Sequence, residues 1–288
     1  MFYTDKREER ISVFNNTLYL CKHDDFLKKS VENSIKNQKL ISENGIIEGT
    51  ASKYTTKAEI IVSKKRSFEA SKAYIGQKTC VHNFASATNA GGGVTKGSNA
   101  QEEALCRCST LYPCISQKNM INGFYNKHRT LLKAGDMNSL YNDDCIYTPD
   151  VIVFKTDDLN PLLMDKTSWY NIDIITCAAP NLRERPSNYM NPSPSSKPVK
   201  ISDLELKKLH EKRANRILDI AKANGCDVVI LGAFGCGAFK NAPRIVAQGI
   251  CEAVKKHIYD FKTIEFAIYC SERDKANYEE FKKVFNKI

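Results

Sequence analysis

Long apolar runs are absent from this 288-residue chain; none approaches the roughly 18 to 20 apolar residues of a membrane-spanning helix. The first ten residues, Met-Phe-Tyr-Thr-Asp-Lys-Arg-Glu-Glu-Arg, carry charge but no apolar segment, so no secretory signal is expected and the chain reads as soluble and cytoplasmic. The cysteine spacings of a disulfide framework are missing as well. The eleven cysteines are odd in number, scattered, and mostly inside apolar stretches such as Ile174–Ala179 and Val228–Ala238, which suits reduced, buried thiols. Cys106-x-Cys108 with Cys114 has the wrong spacing for a zinc knuckle and no histidine at ligand spacing, so these thiols are expected in the core and no metal site is expected. The five histidines, His82 among them, form no Cys-His or Ser-His-Asp pattern, and there is no internal repeat.

At 42% hydrophobic and 26% charged residues the composition is that of a globular protein, which argues against disorder. The formal net charge of +10 is mostly a solvated surface, and its long-range field also favours phosphate-bearing partners. Basic charge alone does not separate nucleic acid, nucleotides and anionic membranes.

Five β-branched or aromatic apolar segments read as buried strands: Glu59–Val62, Thr79–Phe84, Val151–Phe154, Ile172–Cys177 and Asp227–Leu231. Ile264–Tyr269 makes a sixth. Helical patterns lie between several of them. The clearest is Asp203–Asn224, with Leu204, Leu209, Ala214, Ile217, Leu218 and Ala221 in one stripe and Gly225 as its stop. Apolar strands alternating with helices predict a sheet covered on both faces, a three-layer α/β/α sandwich. Residues 1–56 are polar, helical around Phe14–Leu20 and Phe26–Leu40, and without a convincing strand; they read as an N-terminal helical extension packed on a core domain at 57–288. Residues 183–200, rich in proline, serine and asparagine, read as a surface loop.

Two segments carry chemistry. The first is Asn89-Ala90-Gly91-Gly92-Gly93, following a strand, then seven residues and Gln101-Glu102-Glu103 opening a helical pattern through Leu111. Successive glycines let the backbone lie against a ligand with no Cβ in the way. Adjacent helix positions point roughly 100° apart, so the two glutamates must do different jobs. Alone, they need no more explanation than the preference of acidic residues for a first helical turn; joined to the triple glycine and Asn89 they point to a site. The second segment runs Leu231-Gly232-Ala233-Phe234-Gly235-Cys236-Gly237-Ala238-Phe239-Lys240-Asn241-Ala242-Pro243, between a strand and a helix starting at Pro243. It offers backbone N–H groups to an anion at a helix N-terminus and reads as a diphosphate loop. Lys240 stands where a dinucleotide fingerprint needs its third glycine.

Taken in order, Gly91-Gly92-Gly93, Gln101-Glu102-Glu103, Leu105-Cys106-Arg107, Ser109-Thr110-Leu111-Tyr112, Tyr147-Thr148-Pro149-Asp150-Val151, Ala178-Ala179-Pro180-Asn181 and the Gly232–Pro243 loop resemble the bacterial-type poly(ADP-ribose) glycohydrolases, a branch of the macrodomain fold. The resemblance covers roughly residues 58 to 270. It implies a macrodomain with a mixed central sheet, and an enzyme that hydrolyses the ribose–ribose O-glycosidic bond and releases ADP-ribose. Glu103 would be the single acid–base residue and Glu102 would hold the ribose hydroxyls, with Gln101 beside them. Asn89 would contact the distal ribose beside Gly91, Gly92 and Gly93. Gly235, Cys236, Gly237, Ala238 and Phe239 would cradle the diphosphate, Phe239 packing on the sugar. Ala90 stands where the family usually has proline, and Arg66-Ser67 where a threonine with a polar neighbour is more usual, so no adenine contact is assigned. The resemblance implies no cofactor or metal, and the chain is expected to be a monomer whose partner is ADP-ribose or its polymer on protein. Three alternatives stay open: hydrolysis of single ADP-ribose units on protein or nucleic acid, a non-catalytic ADP-ribose reader, and a protein binding unmodified nucleic acid through its charge.

Overall fold

Backbone pairing joins β1 (Lys39–Ile41), β2 (Glu59–Ser63), β3 (Thr79–Ala85), β4 (Cys145–Val153), β5 (Tyr170–Ala178), β6 (Val228–Leu231) and β7 (Thr263–Ala267) into one sheet, in the order β1-β4-β5-β3-β6-β7-β2. The structure is a computed structural model that describes residues 6–49, 51–189, 197–272 and 274–288. β5, β3, β6, β7 and β2 run parallel, while β4 is antiparallel to β5 and β1 antiparallel to β4. This is the mixed sheet the family resemblance implied, and the six segments read as strands all lie in it.

Two features differ from expectation. Residues 1–56 do contain a strand: Lys39, Leu40 and Ile41 pair with Tyr147, Ile146 and Cys145. Three residues are too few to show a period of two, and they directly follow a helical pattern, so the edge of β4 defines this strand and the local sequence does not. The first half of β4 was also invisible, because a register shift between Thr148 and Val151 breaks its pattern. At that shift Asp150 adopts φ 54°, its amide donating to the Asp173 carboxylate at 3.1 Å.

The helices are α1 (Lys6–His23), α2 (Asp25–Asn37), α3 (Ser67–Ser71), α4 (Gln101–Cys108), α5 (Leu111–Ile115), α6 (Lys118–Met120), α7 (Lys127–Ala134), α8 (Asp203–Ala223), α9 (Pro243–Lys256) and α10 (Ala276–Phe285). Alternation along the strands sends successive side chains to opposite faces. Cys80, Ile175, Val229, Leu231 and Phe266 pack against α8, α9 and α10, while Val81, Ile174, Val228 and Ile230 pack against α1, α3, α4 and α5. The result is three layers. α4 ends at Cys108 instead of running on to Leu111, because Thr110 turns to bond Ile152 on β4 through both its amide and its hydroxyl. All eleven cysteines are free thiols, and Cys106, Cys108 and Cys114 are in the core. Among the described residues no helix is long and apolar enough to cross a membrane.

α8 corrects one sequence expectation. Its buried face is Leu206, His210, Arg213, Ala214, Ile217, Leu218, Ile220 and Ala221, while Leu204 is 62% exposed. Two polar side chains stand in the stripe because they have partners there, His210 through Nε2 to Asn241. Arg213 donates to Asp143 at 2.8 Å and to the carbonyls of Ala178, Leu140 and Tyr141, tying the end of β5 to the segment before β4. A buried guanidinium with this many acceptors avoids the heavy cost of an unpaired buried charge. Residues 190–196 of the expected 183–200 loop lie outside the described residues, and the remainder is irregular.

The N-terminal helix bears directly on α4. Arg10 Nε donates to the carbonyl of Gly97 at 2.6 Å, and Thr17 Oγ1 to that of Arg107 at 2.5 Å. The buried Arg107 reaches back to Ser98 O at 2.6 Å and Asn99 Oδ1 at 2.8 Å. Gly97 has φ 71°, and a Cβ there would stand 2.5 Å from the backbone oxygen of Arg7. Gly97→Ala is therefore expected to destabilise the fold by about 2 kcal/mol, from left-handed strain plus a lost close approach. Denaturant unfolding checks this; an unchanged midpoint would show that α1 does not grip this turn.

Candidate active site

The carboxyl ends of β3, β6, β7 and β2 meet at a cavity of about 580 Å³, the crevice where α/β sheets bind ligands. Glu102, Glu103 and Gly92 line one end, Gly235, Gly237, Ala238 and Phe239 the middle, and Arg66 and Tyr269 the far end. The sheet order explains this sequence of parts, since the segments after β3, β6, β7 and β2 follow one another across the crevice.

At the first end the glycine turn and the start of α4 fold onto each other. Glu103 Oε1 accepts from the amide of Gly93 at 2.8 Å and Oε2 from that of Ala100 at 3.1 Å, so one carboxylate spans both turns. Glu102 Oε2 accepts from the Ser86 amide at 2.7 Å, and Asn83 Nδ2 reaches Oε1 at 3.5 Å. Burial, then the neighbouring Glu103 carboxylate, push Glu102 well above the usual carboxylate range, against the pull of the Ser86 and Gly91 amides. Glu102 therefore holds a proton more tightly than an exposed carboxyl does. Gly92, at φ 58°, passes so close that a Cβ would stand 2.6 Å from Glu103 Oε1 and 3.0 Å from Glu102 Oε2. Gly91, at φ 68°, lies under the Tyr112 ring, whose edge would be 2.7 Å from a Cβ. Two of the three glycines are thus required sterically, one by the carboxylates and one by the core.

Not every residue expected here reaches the cavity. The Gln101 side chain lies on the wall, but its amide is engaged with protein: Oε1 accepts from Phe84 N at 3.0 Å, and Nε2 donates to His82 O at 2.8 Å and Ser67 Oγ at 3.1 Å. It fastens α4 to β3 and α3. Asn89 sits off the wall, donating to Thr88 Oγ1 at 2.9 Å and accepting from Arg129 Nη2 at 2.9 Å. Gly91, Gly93 and Cys236 also do not line the cavity. Sequence reasoning missed Arg129 and the buried His128, which bonds Ala87 O at 3.0 Å and Asn142 Oδ1 at 2.7 Å and so holds the turn between β3 and the glycines.

The second loop is built around Asn241. Its Nδ2 lies within hydrogen-bond distance of the carbonyls of Pro180, Gly235 and Phe239, at 2.7, 3.0 and 3.3 Å, while Oδ1 accepts from His210 Nε2 at 2.9 Å. Gly235 has φ 78°, and a Cβ there would stand 2.7 Å from Asn241 Nδ2. Among the described residues the amides of Gly237, Ala238 and Phe239 have no protein acceptor. Such outward amides on a loop suit a small anion. The far end also went unassigned in the sequence: the Arg66 guanidinium lies 4.1 Å from the Tyr269 ring centre and 4.0 Å from the buried Asp157, whose carboxyl is raised by burial.

Residues 7–156 match a family model described as the microbial-type PARG catalytic domain. Among solved structures, the poly(ADP-ribose) glycohydrolase of Thermomonospora curvata is similar with 22% identity and a TM-score of 0.79, covering 96% of this chain and 100% of that one. The same enzyme bound to the inhibitor ADP-HPD gives 24% and 0.75, covering 96% and 99%. The Deinococcus radiodurans poly(ADP-ribose) glycohydrolase in complex with ADP-ribose gives 24% and 0.72, covering 89% and 97%. No curated protein sequence matches.

Two outcomes follow from the geometry. Gly92→Ala should cut turnover on the order of 100-fold by displacing both carboxylates, with the fold retained; steady-state kinetics beside a thermal melt check it, and near-native turnover would contradict the close approach. Burial lowers His210 to about 4 and His82 to about 3. The unfolded chain takes up these protons near pH ~6.5, so the two rings make the fold less stable as pH falls through the window from ~6.5 towards ~4. Their imidazole NMR signals should remain those of neutral rings from about pH 7 to about pH 5. Titration of either ring near pH ~6.5 would show it is not sealed from water.

Proposed function

Because the family match spans more than half of the chain, this protein belongs to the microbial-type poly(ADP-ribose) glycohydrolases, and on that premise we propose that Glu103 makes both proton transfers. The bond to be cut joins two riboses and breaks through an oxocarbenium-like state. Glycosidases usually divide the work between two carboxylates on opposite sides of that bond. Here Glu102 and Glu103 are neighbours in one helical turn and both approach Gly92, so they face the sugar from the same side.

In this reading Glu103, the more open of the two at 7% exposure against 3%, protonates the departing ribose oxygen as the C–O bond breaks. Its carboxylate then takes a proton from the attacking water, which restores the acid and leaves a free ADP-ribose. The two amides at Gly93 and Ala100 hold the carboxylate in place throughout. Glu102, in its neutral form, donates to a ribose hydroxyl. The diphosphate, lodged against the amides of Gly237, Ala238 and Phe239, lends its negative charge to the cationic sugar, and Phe239 packs on that sugar. Asn89 reaches the distal ribose once substrate displaces its contact with Thr88. These steps call for no metal or cofactor.

The observation that supports the assignment is the steric closure of Gly92 on the carboxylate pair: the turn leaves no space there for a side chain. The same reading makes the protein a cytoplasmic monomer acting on protein-linked ADP-ribose polymer, with residues 1–56 as an extension of a 57–288 core. The test is release of ADP-ribose from poly(ADP-ribose) by wild type and by Glu103→Gln. The variant should keep ADP-ribose binding within a few-fold and lose at least about 100-fold in turnover. Residual activity above a few per cent of wild type would place the acid–base role elsewhere. Turnover of singly modified protein or nucleic acid, with none on polymer, would keep the site and change the linkage.

A further inference from the structure

One cation on the cavity wall has no protein counter-charge among the described residues. The cavity's charged side chains are Arg66, Glu102, Glu103, Asp157 and Arg183. Arg66 lies against Asp157 and Tyr269, and the glutamates accept amide hydrogens. Arg183 is half-buried and no carboxylate stands within ion-pair distance of it. A cavity-lining guanidinium with no protein carboxylate beside it is available to pair with an anion that enters the cavity.

The backbone that carries it is firmly held. The segment that leaves β5 is fastened to the diphosphate loop twice, by Leu182 N to Phe239 O at 2.9 Å and by Asn241 Nδ2 to Pro180 O at 2.7 Å. Buried Asn181 fixes the next step: its amide donates to Ser139 O at 2.8 Å, its Nδ2 to Pro186 O at 3.0 Å, and its Oδ1 accepts the amide of Arg183 at 3.3 Å. The backbone that carries Arg183 is therefore bound to the same loop that presents the free amides of Gly237, Ala238 and Phe239.

We infer that Arg183 completes the diphosphate site, its guanidinium forking onto phosphate oxygens that the loop amides hold from the other part of the cavity. This rests on the reading of the cavity as an ADP-ribose site. Backbone amides supply partial charges, whereas a diphosphate carries two full negative charges, and a planar fork matches phosphate oxygens in a way a point charge does not. The contact exists equally before and during bond cleavage, so it serves binding and not the chemical step. It also draws off part of the negative charge that steadies the ribosyl cation, which gives a second reason why its removal leaves kcat unharmed.

The test is calorimetric titration of wild type, Arg183→Gln and Arg183→Lys with ADP-ribose and with adenosine, which has no phosphate, together with KM and kcat on polymer. Arg183→Gln should weaken ADP-ribose binding roughly tenfold or more and raise KM to match. Adenosine binding should be unchanged and kcat should stay within about twofold of wild type. Arg183→Lys should recover part of the loss. ADP-ribose binding by Arg183→Gln equal to that of wild type would overturn the inference. So would a parallel loss for adenosine, which marks a merely structural role. Failure of wild type itself to bind ADP-ribose would instead overturn the reading of the whole cavity, and the inference with it.

Discussion

The approach of the Gly92 backbone to two adjacent carboxylates is the constraint around which the site is arranged. A helix that offers Glu102 and Glu103 in its first turn must end against a turn with no side chain, and that turn must adopt positive φ to pass them. Everything nearby serves to hold these two pieces in register. Glu103 bonds both of them, Gln101 fastens the helix to the end of β3, and Arg107 pins the residues just before the helix. α1 then presses on that segment from outside through Arg10 and Thr17. The N-terminal extension is thus part of the mechanical support of the carboxylates, a role that its polar composition does not suggest.

The loop after β6 is held by a different device. Asn241 uses its side-chain amide as a hub, joining the loop to itself, to the segment after β5 and to α8 through His210. His210 and His82 lie close to the Phe234 ring, at 5.7 and 4.4 Å between ring centres, in a region too dry for charge. A loop supported by neutral, fully buried groups keeps its amides aimed outward without competing internal anions. This is preorganisation: the dipoles are in place before the ligand arrives, so little has to reorient on binding.

How much of this could be read in the sequence depends on how far each signal travels along the chain. The central strands announce themselves because burial on both faces makes them continuously apolar. The glycine turn and the Gln-Glu-Glu triplet are legible because both halves of the contact lie within about a dozen residues of each other. β1 is not legible, since Lys39, Leu40 and Ile41 become a strand only through the exposed edge of β4. Leu204 was misplaced because Arg213 and His210 take the buried stripe of α8, and polar residues count against a stripe until their partners are known. Gln101 lines the cavity, but the partners of its amide, on β3 and α3, carry no signal in the local sequence. Arg183 and Asp157 carry no local signal at all. They come from segments after β5 and β4 that reach the crevice only through the tertiary fold.

The net charge of +10 finds its meaning in where charge is withheld. Among the described residues no lysine lines the crevice; the loop after β6 that faces it is glycine, alanine and phenylalanine, with Lys240 turned into a positive-φ corner and exposed. Basic residues spread over the surface attract a polyanion from a distance without fixing it, and salt screens that attraction within about 10 Å. Close in, the crevice offers short, directed N–H donors on the loop after β6 and acidic groups at the α4 end. Orientation along the crevice is then set by the order β3, β6, β7, β2 in the sheet: carboxylates first, amides next, the aromatic and arginine end last.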